Sequence, residues 1–288
     1  MLLVFLIYFF VGNLAAMLPL HVPTSRKSSI IEIVAGVSAI IAICLLSKKW
    51  FEKGPSGLGV EPGNMIRGIG LGLLSFAAIA PVLYTAILIT DIASKLITHK
   101  LPPVHPALKA MAVDHSAVSL GLLVIMVVIV APISEELFFR GLIQSWLAQR
   151  FAGMGSHNST TIGNLADRPS PPAGVPGTLE SNVNENPYAV PDASASAPEI
   201  SAPPRAWPNS PWLPVNRWMA ILITAGVFAA VHYAVTPGYD DYFPVLFILA
   251  VALGYMYERT GNIWTDITMH ACFNLIPTIL ILCGVKPK

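Results

Sequence analysis

The hydrophobic positions of this chain form long continuous runs instead of alternating with polar positions. A transmembrane helix needs about 20 mostly apolar residues, whereas lipid-facing strands alternate apolar and polar side chains. The pattern therefore predicts an all-α, polytopic membrane helical bundle. The runs that qualify as spans are 2–20, 30–46, 68–90, 117–147, 218–233, 243–257 and 263–282.

The run at 117–147 is too long for one straight span. Its 31 residues would extend about 46 Å as a single helix, against ~30 Å for the hydrocarbon core of a bilayer. Pro132 lies in the middle of the run and lacks the backbone N–H that a helix interior uses. The run is either one long bent span or two short spans that meet near Pro132. We therefore expect a bundle of seven to eight transmembrane helices.

The segment 153–215 differs in composition from the rest of the chain. It holds 12 of the 25 prolines, together with many Ser, Asn and Ala residues. Such a segment cannot bury enough apolar surface to offset its ordering entropy, so we expect a long disordered loop outside the membrane. The chain then divides into an N-terminal transmembrane scaffold (1–116), a transmembrane core that carries the candidate chemistry (117–152 with 216–288) and this loop insert.

Composition agrees with a membrane protein. Hydrophobic residues make up 54% of the chain, charged residues only 11%, and the mean hydropathy is +0.64. We expect a multi-pass protein of the plasma or inner membrane, whose first run is a retained span because it lacks a basic flank and a cleavage site. A net charge of +1 gives no indication of a nucleic-acid partner. The three cysteines lie in apolar runs and are interpreted as packing residues.

Ionisable side chains inside spans are costly and in most proteins face the bundle interior, where they carry function. Here they cluster in three motifs, each with an i,i+4 pair on one helix face. The motifs consist of Glu135, Glu136 and Arg140, then Phe228 and His232, then His270 and Asn274. Phe228 is interpreted as packing that supports His232. Glu258 and Asp266 are interpreted as helix ends, although Asp266 precedes His270 by one turn and could orient it.

The spacing within the first motif suggests different roles for its two carboxylates. Two adjacent carboxylates in a low-dielectric site cannot both remain ionised cheaply. Glu136 can pair with Arg140 one turn later, which makes it the charged structural partner. Glu135 is rotated from it by about 100° and lacks that cation, so it is the better general base for a water molecule. Either His232 or His270 could share that water.

The chain contains no Gly-x-Ser-x-Gly elbow, no His-Glu-x-x-His motif, no phosphate-binding glycine loop and no suitable cysteine nucleophile. The remaining Glu, His and Asn side chains suit general-base activation of water, with His and Asn N–H groups at the oxyanion. We expect the bond broken to be a peptide bond. The same polar set also suits proton relays. A non-catalytic scaffold, an immunity protein or a proton-coupled transporter is therefore the alternative.

The three motifs, in this order on separate predicted membrane helices, resemble those of the CPBP intramembrane proteases. That family unites type II CAAX prenyl endopeptidases with bacterial bacteriocin-processing and immunity proteins, also called the Abi family. The resemblance covers about 117–282 without the loop insert, which is longer than the loop expected for the family. The stretch "APISEELFFRG" is close to the first family motif even outside its charged residues. The resemblance implies an all-helical bundle with its site inside the membrane.

The resemblance also implies roles for the polar residues. In a glutamate protease of this kind, Glu135 would activate water together with His232. His270 and Asn274 would line the oxyanion hole, and the ion pair of the first motif would brace the site. The implied partners are the lipid bilayer and a peptide or protein substrate at the membrane, for which a prenylated CAAX protein is the family's precedent.

No cofactor is expected. Zinc is the alternative, because Glu135, His232 and His270 together offer a carboxylate and two imidazoles as ligands. Arg140 beside the carboxylates works against a divalent cation. The sequence therefore favours a metal-free mechanism.

Overall fold

The computed structural model describes residues 24–50, 54–102, 105–114, 116–156, 213–235 and 240–285. The predicted first span and most of the predicted disordered loop lie outside these residues. Within the described ranges every regular element is a helix and no strand is present. The predicted all-α fold class is therefore confirmed.

Seven helices, numbered in chain order, make up the described bundle. They are α1 (Thr24–Trp50), α2 (Met65–Thr98), α3 (Pro106–Val113), α4 (117–156), α5 (Val215–Val235), α6 (Phe243–Thr260) and α7 (Ile263–Leu282). Six of them are long and apolar enough to cross a membrane, whereas α3 has only 8 residues. With the predicted span at 2–20 outside the described residues, this is consistent with the expected seven to eight.

Helix α4 is one long span that continues past Pro132, and not two short spans. Its α-helical geometry changes to π-helical geometry at Ile125–Val130 and again at Leu137–Gln144. In a π segment each backbone hydrogen bond reaches five residues back instead of the four of an α-helix, and accordingly the Ala131 N–H donates to the Met126 carbonyl. This wider register lets the chain pass the proline without ending the helix, as π-bulges do elsewhere.

Close approaches at glycines bring the helices together. A Cβ at Gly72 of α2 would lie 2.6 Å from the Thr268 Cβ and 2.7 Å from the Thr265 carbonyl oxygen of α7. A Cβ at Gly254 of α6 would lie 2.7 Å from the Gln144 Oε1 of α4. Small residues at helix interfaces let membrane helices pack closely. Helix α7 is thereby held against α2, while α6 is held against α4.

A buried polar cluster joins α4, α5 and α6 near the ends that flank the loop insert. Arg217 Nη1 lies 3.1 Å from Glu258 Oε2. Gln144 Nε2 donates to Glu258 Oε1 at 3.0 Å and to the Gly254 carbonyl at 2.9 Å. Glu258 lies in the last turn of α6, as expected of a helix end, and its side chain is in addition buried and paired. Arg217 ties α5 to α6 and Gln144 ties α4 to α6, so the cluster connects the helices on both sides of the insert to α6.

Replacing Arg217 by Met should destabilise the protein strongly, because it leaves the buried Glu258 carboxylate without its cation. We expect the midpoint of thermal unfolding in detergent to fall by roughly 10 °C. The double variant Arg217→Met/Glu258→Met should recover most of this loss, because no buried charge is then unpaired. Arg150→Met is the control, because Arg150 is exposed. A double variant as unstable as the single one would contradict this account.

His105 precedes α3 and caps its first turn. Its Nδ1 accepts a hydrogen bond from the Ala107 N–H at 3.3 Å. Burial, and secondly the charge of nearby His232, lower the pKa of His105 from 6.5 to about 4. The unfolded chain therefore binds more protons than the folded one between these two pH values, and stability decreases as pH falls through that window.

The variant His105→Asn should flatten this pH dependence. An Asn side chain can still accept from the Ala107 N–H but carries no titrating group. We expect the unfolding midpoint of the parent to drop between pH ~6.5 and pH ~4 by more than that of the variant. Scanning calorimetry of both proteins across this range measures the difference. Equal slopes would show that His105 does not contribute to acid sensitivity.

Candidate active site

Helices α4, α5 and α7 bring the three sequence motifs to one place inside the bundle. Helix α4 carries both glutamates of the first motif with the arginine, α5 carries the Phe-x-x-x-His motif and α7 carries the His-x-x-x-Asn motif. The i,i+4 spacing within each motif puts its paired side chains on one helix face, and the packing of the helices turns these faces towards each other. The contacts between motifs define the site.

Glu136 is the centre of the buried contacts. Its side chain is 0% exposed, as is that of Arg140. One carboxylate oxygen lies 3.1 Å from Arg140 Nε, and the other lies 2.8 Å from His270 Nδ1. Arg140 also donates from Nη2 to the Ala250 carbonyl of α6 at 3.1 Å. Glu136 therefore links the arginine of its own helix to the histidine of α7.

Glu135 points to a different group of side chains. Its Oε2 lies 3.6 Å from His232 Nε2 and 3.9 Å from His270 Nε2. The side chains of Glu135 and His232 are 27% and 21% exposed, whereas that of His270 is 5% exposed. Glu135 and His232 thus form the accessible side of the site, and His270 lies between the two glutamates.

The partners of the Nδ1 atoms indicate where the imidazole protons are. His232 Nδ1 lies 2.9 Å from the Phe228 carbonyl oxygen, which can only accept, so this nitrogen donates. His270 Nδ1 faces the Glu136 carboxylate and donates in the same way. In its neutral form each ring therefore presents an unprotonated Nε2 towards Glu135. Two nitrogen lone pairs and a carboxylate oxygen converge, which favours a shared donor between them.

A water molecule, which donates hydrogen bonds to these atoms, and a metal ion, which accepts their lone pairs, are the two kinds of ligand that fit such a set. Imidazoles held at Nδ1 by a carbonyl and by a carboxylate are also found around bound zinc. Within the described ranges, however, no group of three or more His, Cys, Asp or Glu side chains has the arrangement that a metal ion needs. Glu135 lies 3.6 Å from His232 and 3.9 Å from His270, and a reaction without a metal ion stays a prediction.

Phe228 packs against both imidazoles. The side chain is fully buried, and its ring centroid lies 4.4 Å from that of His232 and 5.9 Å from that of His270. The Arg140 guanidinium lies 5.0 Å from the centroid of the same ring, within cation–π distance. The phenylalanine of the second motif therefore packs between the arginine and the two histidines.

The side chain of Asn274 contacts the backbone of α4. Its Nδ2 donates to the Val127 carbonyl at 2.9 Å, two turns before Glu135.

Asp266 is fully buried, and neither of its carboxylate oxygens has a hydrogen-bond partner among the described residues. Asp266 was considered as a residue that could orient His270, but the Nδ1 atom of His270 contacts Glu136 instead.

Sequence reasoning did not identify Gln144 as part of the buried polar set. This residue is fully buried and lies one turn after Arg140. The series 136, 140, 144 continues the i,i+4 spacing of the first motif, and this signal could have identified it. The series extends the polar face of α4 from the candidate site to the cluster around Glu258.

Comparison with known protein families identifies the part of the chain that carries the three motifs. The family model described as "Type II CAAX prenyl endopeptidase Rce1-like" matches residues 117–165 and 205–276, a range that includes all three motifs. No curated protein and no solved structure matches the chain significantly. With its long apolar helices, the chain is a multi-pass integral membrane protein that belongs to the Rce1-like family of type II CAAX prenyl endopeptidases.

Proposed function

We propose that this protein is an intramembrane endopeptidase that hydrolyses a peptide bond of a membrane-associated protein by glutamate-activated water. The observation that carries the proposal is the convergence of Glu135 Oε2 with the Nε2 atoms of His232 and His270, at 3.6 and 3.9 Å. These groups lie in a bundle of apolar helices, where their burial is costly without a function. The family supports a protease in general terms.

In this mechanism a water molecule donates one O–H to Glu135 and the other to His232. Its oxygen lone pair then attacks the substrate carbonyl while Glu135 takes the proton. The same proton passes from Glu135 to the leaving amine nitrogen as the C–N bond breaks. The products are a carboxylic acid and an amine, and no external reactant besides water is required.

His270 and Asn274 are the proposed oxyanion donors. When His270 carries a proton on both nitrogens, its Nε2–H faces the accessible part of the site. Glu136 offsets the charge at Nδ1 from 2.8 Å. Such donors act strongly because the surrounding bundle excludes water and holds them in place. Asn274 has a second amide N–H beyond the one bonded to Val127.

The proposed substrate is a membrane-associated protein of the CAAX-type prenylated class, because this is the class that the family's description names. The part of the site on the Glu135 and His232 side is the proposed point of entry, because these two side chains are the more exposed ones. We propose the plasma or inner membrane as the location and a reaction without a metal ion.

Glu135→Gln should abolish cleavage while leaving folding intact. The amide retains the size of the carboxylate but cannot accept the proton from water, and loss of a general base costs roughly 100- to 10,000-fold in kcat. The measurement is cleavage of a quenched fluorescent peptide library, with farnesylated and unmodified members, by purified protein in detergent. Glu32→Gln is the matched control, because Glu32 is an exposed carboxylate of α1.

A parallel series with a chelator tests the metal-free mechanism. Activity that survives the chelator but not Glu135→Gln supports water activation by glutamate. Loss of activity in the chelator, restored by added zinc, would overturn it in favour of a zinc enzyme that uses the same three residues. Undiminished cleavage by a folded Glu135→Gln variant would contradict the assigned base. No cleavage by the parent would favour the scaffold, immunity or transporter alternative.

Variants at Glu136 should separate stability from activity. Glu136→Leu leaves the Arg140 guanidinium buried without its carboxylate, so we expect a marked fall in the unfolding midpoint. The double variant Glu136→Leu/Arg140→Leu removes both charges and should regain most of that stability. Neither variant should cleave substrate, because His270 loses its Nδ1 partner in both. An active double variant would show that Glu136 has no part in the site.

A further inference from the structure

The Val127 carbonyl in the first π segment of α4 lacks the two backbone donors that would ordinarily reach it. An α-helical bond would come from the Ala131 N–H, but this group donates to the Met126 carbonyl instead. A π-helical bond would come from residue 132, which is a proline without an N–H. The register change and the proline together leave this oxygen available to a donor from another helix.

Asn274 of α7 supplies that donor, with its Nδ2 at 2.9 Å from the Val127 oxygen. A backbone carbonyl without a partner is expensive inside a bilayer, where water is not at hand to replace the lost bond. The Asn274 amide therefore replaces the backbone hydrogen bond that the Val127 carbonyl lacks. The bond also lies one turn beyond His270 on α7 and two turns before Glu135 on α4.

We propose that Pro132 and Asn274 form a clamp that positions the candidate active site. Pro132 frees the Val127 carbonyl, and Asn274 binds it, which fixes the separation and rotation of α4 against α7. Together with the Glu136–His270 bond at 2.8 Å, the clamp gives the two helices two points of attachment along their length. Pro132 is a positioning residue in this arrangement. Asn274 positions Glu135 and His270 through the N–H bonded to Val127, in addition to the oxyanion role proposed for its second N–H.

The activity part of this inference depends on the proposed function, but its stability part does not. A displacement of about 1 Å between reacting groups can lower a rate by roughly 100-fold. A clamp that holds Glu135 against His270 should therefore affect kcat far more than KM. The same clamp should also contribute to stability, whether or not the protein is a protease.

A double-mutant cycle between Asn274→Ala and Pro132→Ala tests the clamp. An alanine at 132 restores the N–H that can reach the Val127 carbonyl in the π register. In the parent background, Asn274→Ala should lower the unfolding midpoint by about 2–4 °C and kcat by about 100-fold, with KM little changed. In the Pro132→Ala background, the loss in the unfolding midpoint should be at most half as large. The loss in kcat should also be smaller, because only the part due to the oxyanion N–H of Asn274 remains.

Additive effects, with the same loss in both backgrounds, would overturn the clamp and leave Asn274 with a direct role at the oxyanion alone. Coupling in the unfolding midpoint without any cleavage would support the clamp and count against the protease. Pro81→Ala in α2 is the control, because this proline also lies inside a long apolar helix but is exposed, and it should show no coupling to Asn274. Pro132→Ser supplies the same N–H should Pro132→Ala fail to fold.

Discussion

Burial of the Glu136 carboxylate is the constraint around which this bundle is arranged. A charge without access to water must be balanced by partners at close range, and the partners of Glu136 come from its own helix and from α7. Arg140, which balances it, in turn contacts the backbone of α6 and the aromatic ring that α5 contributes. Four helices are therefore fixed relative to one another by the requirements of a single ion pair.

This constraint explains how two neighbouring glutamates can differ in chemistry. Glu136 is held by Arg140 and His270, so its charge is already satisfied. Glu135 projects about 100° away around the helix, where it faces two imidazoles at longer distances and is partly exposed. One carboxylate serves the structure, and the other is available to a reaction. The separation results from helix geometry and not from any difference between the residues.

The contacts of Glu136 with Arg140 and of Phe228 with His232 could be predicted from sequence, because i,i+4 spacing alone puts each pair side by side. The membrane helices were predictable for the same reason, since their apolar runs are long and continuous. The contact of His270 with Glu136 was not, because it depends on how α4 and α7 are rotated against each other. The buried pair of Arg217 and Glu258 was missed for a similar reason. Each looks like a helix-end charge until the packing is known.

Helix α4 shows why a long polar-faced span can be stable in a membrane. Arg26 of α1 donates a hydrogen bond at 2.9 Å to Ser116, which immediately precedes the first turn of α4. The Val127 carbonyl, the Glu136–Arg140 pair and Gln144 then each find a partner on α7 or α6. These polar groups of α4 are thus each bound by a neighbouring helix. The irregular register of α4 is tolerated because its freed groups are bound inside the protein, away from lipid. The candidate active site lies in the middle of this series, where partners on two neighbouring helices meet.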